Sequence, residues 1–202
     1  MPGILLLTGF EPFGGSKINP SEQIARKLEG CRFGTLVVHS VILPVDKTLG
    51  PAQLFRAVDE YQPGVVISLG EAAHRAAISI ERVAINLMDY RIPDNSGAQV
   101  KDQKIVDDGP DAYFSSLPVR KIYNAILAAG VPVELSLTAG AYLCNQVFYS
   151  LQHKMHVEGN IIPAGFIHLP ALPEEAAATG QVFPTMAFDV SLRAIEIAIS
   201  AL

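Results

Sequence analysis

Cysteine is scarce in this chain: only Cys31 and Cys144 occur in 202 residues. Two thiols are too few for a structural zinc site and supply no disulfide framework. The opening Met-Pro-Gly-Ile-Leu-Leu-Leu-Thr lacks a basic n-region and reads as a buried strand, so a reducing cytoplasm is the expected compartment. No apolar run approaches the ~20 residues a membrane span needs. Cationic surplus is missing too, with 15 Lys and Arg against 20 Asp and Glu. That balance argues against nucleic acid as a partner, because phosphate backbones need a basic face. Neither a Walker spacing nor Gly-x-Gly-x-x-Gly is found, so the glycine-rich stretch Gly9–Gly15 is not a phosphate loop. There is no internal repeat and no low-complexity tract.

Half of the residues are apolar, enough to bury a sizeable core in one large domain or two small ones. Compact apolar runs at Gly3–Thr8, Thr35–Leu43, Gly64–Leu69, Val131–Leu137 and Asn160–Leu169 read as strands, and Ser79–Leu87 alternates as one. In that last run Glu81, Val83, Ile85 and Leu87 share a face. Between the strands lie helical patterns. Asn19-Pro20-Ser21-Glu22 gives a cap, a first-turn proline and an early acid, with a stop at Gly30. Asp46 is expected to cap a helix reaching Tyr61 with an interruption at Gly50-Pro51, and Pro118 opens another that Gly130 stops. Ala141–Met155 reads as a helix, and Thr185 is expected to cap a last one carrying the stripe Phe188, Leu192, Ile195, Ile199 and Leu202. The polar stretch Met88–Leu117 is long enough to suggest a lid or a subunit contact. This alternation predicts an α/β fold: a single-domain α/β/α sandwich over residues 1–202, with a mostly parallel twisted sheet and helices on both faces. Such sheets place their sites outside the carboxyl ends of the strands.

Cys144 lies where an apolar strand pattern gives way to a helical one, in Thr138-Ala-Gly-Ala-Tyr-Leu-Cys-Asn145. A cysteine in an apolar segment is ordinarily a small buried hydrophobe. The first turn of a helix, however, offers unpaired N–H groups and a positive dipole end, which favour thiolate. Cys31, between Gly30 and Arg32, has no such setting and reads as structural. His168 ends the apolar run Gly165-Phe-Ile-His and is held more rigidly than His74 in its loop. His39, His153 and His156 read as packing or surface residues. A cysteine nucleophile needs a histidine to take its proton, and the histidine needs an acceptor to fix its tautomer. Glu81 is the best acceptor, being a carboxylate in an otherwise apolar strand. Two readings of it stay open: an ion pair with Arg75 or Arg82, or the partner of His168. Phe10 and Phe13, in the glycine-rich loop, are either loop anchors or the wall of a flat apolar pocket.

Five blocks together resemble pyroglutamyl peptidase I: Thr8-Gly-Phe-Glu-Pro-Phe-Gly-Gly15, Glu81-Arg-Val-Ala-Ile-Asn86, Arg91-Ile-Pro-Asp-Asn95, Thr138-Ala-Gly140 with Cys144-Asn145, and Gly165-Phe-Ile-His168. They fall in that family's order and span essentially the whole chain. The resemblance implies a cytosolic cysteine exopeptidase that removes N-terminal pyroglutamate from peptides through a thioacyl intermediate, with no metal or cofactor. It implies a triad of Cys144, His168 and Glu81. The implied pocket comprises Phe10, Phe13, Asn19, Glu71 and Ile92, with Arg91 beside the oxyanion. It further implies a homo-oligomer, dimer or tetramer. The chain departs from the family pattern at Glu71, Ala73, His74, Tyr90, Leu137, Ala141 and Gln146. Two other classes fit the same fold: a redox-sensing or ligand-binding module using Cys144, or another hydrolase or phosphorylase using Arg75 or Arg91.

Overall fold

A computed structural model describes residues 3–160 and 162–202; residues 1, 2 and 161, included in two expected strands, lie outside it. The strands are β1 (Gly3–Phe10), β2 (Arg32–Phe33), β3 (Leu36–Leu43), β4 (Val65–Glu71), β5 (Ile78–Glu81), β6 (Val83–Ile85), β7 (Ala112–Phe114), β8 (Val133–Ser136) and β9 (Ala164–Leu169). The helices are α1 (Pro20–Leu28), α2 (Leu49–Tyr61), α3 (Val119–Ala128), α4 (Leu143–Val157), α5 (Pro173–Thr179) and α6 (Phe188–Ser200).

Seven strands form the main sheet in the order β2-β3-β1-β4-β9-β5-β8. The four neighbours β3, β1, β4 and β9 are parallel. The apolar runs of β1, β4 and β9 are buried, as strands covered on both faces must be. One face carries α1, α3 and α6 through Ile24, Leu28, Ile122, Ile126, Ile195 and Ile199. The other carries α2 and α4 through Leu54, Val58, Val147, Phe148 and Leu151. The expected α/β/α sandwich with a mostly parallel sheet is therefore the observed architecture. Burying a side chain of this size contributes about 1.5–3 kcal/mol, so α4 is firmly seated.

Two features depart from the expected topology. β5 runs antiparallel to β9, and β8 runs parallel to β5. Glu81 therefore enters from a strand pointing away from the shared carboxyl edge of β1, β4 and β9. The expected continuous strand across Ser79–Leu87 also breaks at Arg82. The Arg82 N–H bonds the Ser136 carbonyl and its own carbonyl accepts from Ser115 N–H, which turns the chain out of the main sheet. It continues as β6, which pairs antiparallel with β7.

The helix ends follow side-chain chemistry. Asn19 Oδ1 accepts from the Ser21 N–H at 2.9 Å, as its capping pattern predicts. Asp46 Oδ1 accepts from the N–H groups of Thr48 and Leu49, so Gly50 and Pro51 fall inside the first turn of α2 and interrupt nothing. Thr185 does not cap α6: it bridges to Ala171, and Ala187 precedes the helix. α5 lies between Leu169 and Thr185, a stretch in which the sequence pattern predicts no helix.

The segment from Met88 to Leu117 is stitched down by side chains. Asn86 Oδ1 accepts from the N–H groups of Ile105 and Val106, while Nδ2 donates to the carbonyls of Val106 and Gly109. Asp94 accepts from Lys47 N–H, Ser96 N–H, Ser96 Oγ and Ala98 N–H. These bonds tie it to β6 and α2. Asn86→Ala strips two backbone N–H groups of their acceptor and is expected to destabilise the fold by about 2–3 kcal/mol. The measurement is the midpoint of guanidinium unfolding, and an unchanged midpoint would show that Asn86 does not pin this segment.

Candidate active site

His168 and Phe166 occupy alternate positions of β9 and so project from the same face. Across the antiparallel pairing, Glu81 stands opposite Phe166 and lies diagonal to His168. The imidazole Nδ1 is 2.7 Å from Glu81 Oε1. With a carboxylate as acceptor, Nδ1 carries the proton and Nε2 is left with a free lone pair. Arg75, from the turn after β4, places Nη1 2.6 Å from the same Oε1 and donates through Nη2 to the Thr138 carbonyl at 2.7 Å. The two readings of Glu81 left open by sequence are thus both satisfied, and by one oxygen. Arg82 is not its partner. Glu81 is 0% exposed, and its Oε2 has no partner among the described residues.

Gly70 shows where the thiol sits. It is the direct neighbour of His168 on the adjacent parallel strand. A Cβ built on Gly70 would lie 2.7 Å from Cys144 Sγ and 2.7 Å from Phe166 Cζ. The sulfur therefore fills the space that any side chain at 70 would need. It occupies the column next to that of His168. Sγ and the imidazole are not hydrogen-bonded in this resting arrangement.

Cys144 is the second residue of α4, and Tyr142, at the cap position, makes no side-chain cap bond. The first N–H with an intrahelical acceptor is that of Gln146, bonded to the Tyr142 carbonyl. The N–H groups of Leu143, Cys144 and Asn145 are left as donors for a ligand oxygen. The thiol itself departs from the expectation. Burial pushes it up to about 12, and the negative charges of Glu81 and, once it ionises, Glu71 add to this; Arg75 and a backbone hydrogen bond pull it only partly back. Loss of solvent and the Glu81 carboxylate outweigh the helix dipole, so the resting sulfur is a thiol.

A narrow cleft opens on this sulfur. Its walls are Phe10, Phe13, Asn19, Val45, Glu71, Tyr142, Leu143 and Cys144, with about 10 Å³ of free space. That holds no more than a water, so a ring-sized ligand must displace part of the wall. Asn19 is fully buried, its Nδ2 donating to the Glu11 carbonyl at 3.1 Å. Four of the residues expected in the pocket thus line it: Phe10, Phe13, Asn19 and Glu71. Ile92 does not; its Cδ1 packs toward Gly14, on the flank of the same loop. Arg91 is exposed, and its guanidinium has no hydrogen-bond partner among the described residues.

Val45, Tyr142 and Leu143 were missed by sequence reasoning. Only the last two had a signal, through their adjacency to Cys144. Tyr90 and Gln146, two of the departures, prove to be partners: the Tyr90 hydroxyl bonds Gln146 Oε1 at 2.5 Å, and its ring meets Tyr142 edge-on at 4.7 Å.

Residues 4–202 match the family model described as pyroglutamyl peptidase. The chain belongs to the pyroglutamyl peptidase family. It is 43% identical to the pyrrolidone-carboxylate peptidase of Pyrococcus furiosus over 198 residues, covering 96% of this chain and 95% of that one. Among solved structures, pyroglutamyl peptidase I of Bacillus amyloliquefaciens superimposes with a TM-score of 0.94 at 37% identity, covering 98% and 96% of the two chains. Pyrrolidone carboxyl peptidase from Thermococcus litoralis gives 0.95 at 40%, covering 98% and 92%. Membership in the pyroglutamyl peptidase family favours a peptidase over the redox-module and phosphorylase alternatives.

The thiol's surroundings give a measurable consequence. Because burial and carboxylates hold it protonated, the thiolate fraction grows about tenfold per pH unit through the neutral range. Iodoacetamide alkylation of Cys144, followed by peptide mass spectrometry, is expected to accelerate steadily from pH 7 to pH 9. A plateau below pH 8 would reveal a resting thiolate–imidazolium pair instead.

Proposed function

We propose that this protein hydrolyses the bond after an N-terminal pyroglutamyl residue of a peptide, with Cys144 as nucleophile, His168 as base and then acid, and Glu81 as the partner of His168. The observation that carries this reading is the apolar cleft that Phe10, Phe13 and Cys144 line together. Pyroglutamate is a neutral lactam with no free ammonium. Apolar walls suit its ring faces, whereas an N-terminal glutamate would have to shed water from an ammonium and a carboxylate, costing several kcal/mol.

The chemistry follows from the proton inventory. His168 Nε2 takes the thiol proton as Sγ attacks the pyroglutamyl carbonyl, so the thiolate never has to accumulate. The developing oxyanion meets the unpaired N–H groups at the start of α4; each such donor is worth roughly 3 kcal/mol. Backbone donors carry this charge in the scheme, and not Arg91, because that guanidinium is solvent-exposed. The imidazolium, stabilised by the Glu81 carboxylate, protonates the leaving amine as the C–N bond breaks. A water, deprotonated by the same imidazole, then attacks the thioester, releases pyroglutamate and returns the proton to sulfur.

The whole chain, residues 1–202, would serve as one catalytic unit. No helix among the described residues is long and apolar enough to cross a membrane. Two free cysteines support the reading of a cytoplasmic protein. Self-association is supported by Phe114, 71% exposed, and Leu137, 67% exposed, which flank the backbone partners of Arg82.

Hydrolysis of pyroglutamyl-, prolyl- and glutamyl-anilides tests the substrate class; only the first is expected to turn over. Cys144→Ala is expected to abolish that turnover with the unfolding midpoint retained, and full activity in it would overturn the mechanism. Glu81→Gln separates two effects of one charge. Turnover is expected to fall by about 10²–10⁴-fold, as for removal of an imidazole-orienting carboxylate. Alkylation of Cys144 at fixed pH should accelerate, since a charge that holds the thiol protonated is gone. Unchanged turnover would return Glu81 to a structural role.

A further inference from the structure

Glu175, in the first turn of α5, takes no part in the scheme above, yet it is only 8% exposed. Its Oε2 accepts from the Leu172 N–H at 2.8 Å. Its Oε1 lies 3.2 Å from the Ser16 hydroxyl, which also reaches the Ile18 carbonyl at 2.8 Å. Ser16 belongs to the stretch between Phe13 and Asn19, both in the wall of the cleft. Glu175 also faces Glu71, another wall residue, at the carboxyl end of β4, closely enough for the two carboxyl groups to share a proton. One carboxyl group thus connects α5, the end of β4 and the stretch between Phe13 and Asn19 that walls the cleft.

Two carboxyl groups in hydrogen-bond contact hold one proton between them, because both cannot ionise so close together. We propose that Glu175 is a positioning residue of the cleft: it shares a proton with Glu71 and, through Ser16, holds the Phe13–Asn19 loop against bound substrate, so that binding weakens in alkaline solution as the proton leaves. This role rests on the lactam-pocket reading given above.

The charges around Glu71 leave that proton in place near neutrality. Burial raises its carboxyl to about 8, and the charge and hydrogen bond of Glu175 add to the shift. Glu175 faces it from α5 and Cys144 from α4; His168 stands on the neighbouring strand, with Glu81 and Arg75 beyond. His74, in the same turn, is exposed and packs edge-on against Phe183. Glu71 has no ion-pair partner among the described residues. When the proton leaves, two changes act in one direction. Repulsion pushes Glu175 away from its contact with Glu71, loosening Ser16. A neutral ring must also then settle over an ionised carboxylate and strip it of water. Both raise KM.

Stability follows the same proton. A carboxyl raised above its ordinary value of 4.5 favours the folded state fully below that value. The contribution is lost as pH climbs to about 8.

The test is the pH dependence of KM and kcat for a pyroglutamyl-anilide between pH 6.5 and 9.5. The unmodified protein is expected to show KM rising about tenfold from pH 7 to pH 9, as one proton is lost. Glu175→Gln keeps an acceptor for Leu172 and donates an amide N–H to ionised Glu71, so its KM should stay flat over the range. Glu175→Ala should raise KM at every pH. Persistence of the alkaline rise in Glu175→Gln would overturn the role. Carbon-13 NMR of glutamate-labelled protein reads the proton itself: one carboxyl carbon should titrate near pH 8 and vanish from that range in Glu71→Gln. Its absence from the unmodified protein would equally overturn the role. A protein inert to pyroglutamyl substrates at all pH would overturn the lactam reading and this role with it. An active protein whose Glu175→Gln variant keeps the rise would overturn only the latter.

Discussion

The carboxylate of Glu81, buried without any exposure to solvent, constrains everything built around it. Taking a charge out of water is tolerable only with partners in good geometry. Here His168 and Arg75 both bond one oxygen, at 2.7 and 2.6 Å. Arg75 is anchored in turn by the Thr138 carbonyl, which ties the turn after β4 to the turn before α4. The imidazole therefore has no freedom to rotate, and its Nε2 lone pair faces away from Glu81. Removing Arg75 leaves the buried Glu81 charge without its cation.

The same charge works against the sulfur. It fixes the His168 tautomer whose Nε2 can accept a proton, while holding Cys144 protonated. In the proposed reaction these effects are compatible only if the proton moves when a carbonyl is already in place, because the oxyanion then meets backbone donors that the resting thiol does not need. Backbone geometry makes that timing possible. Gly70, lacking a side chain, lets α4 lie close enough to the sheet for Sγ to take the position beside His168. Along its length α4 is fixed by Val147, Phe148 and Leu151, all fully buried. Cys144 therefore stands on a rigid element.

How much of this could be read from the chain depended on the range of the interactions. The apolar runs of β1, β4 and β9 announce a covered parallel sheet, and Asn19-Pro20 announces a helix start, because both are decided within a few residues. Strand direction is not encoded that way. The pattern of β5 is equally consistent with either orientation, and the alternation continues through Arg82 although the chain changes sheets there. β7 is short, with Ala112 and Phe114 exposed, and leaves almost no apolar trace. Phe10, Phe13, Cys144 and His168 are legible from glycine-rich, strand-end and helix-start settings. The thiol's protonation state is not, since the helix-start rule is local while Glu71 and Glu81 arrive from more than sixty positions away. Tyr90 and Gln146 are 56 positions apart. Taken singly they look like unrelated departures, and only their hydrogen bond shows them to be one pair behind Tyr142.

Two glutamates near one sulfur, in opposite surroundings, complete the logic of the site. Glu81 accepts from a cation and an imidazole at one oxygen. Glu71 has only another carboxyl group for company, and near neutrality it keeps a proton. Were both ionised, the sulfur would face two negative charges, and the transfer of its proton to His168 would be harder by the Coulombic cost of the second. A neutral Glu71 also leaves the cleft wall uncharged where an uncharged ring has to fit. Glu175 thus serves substrate and nucleophile through one proton. A change at α5, remote from the reacting atoms, would reach them through Glu71 rather than through the backbone.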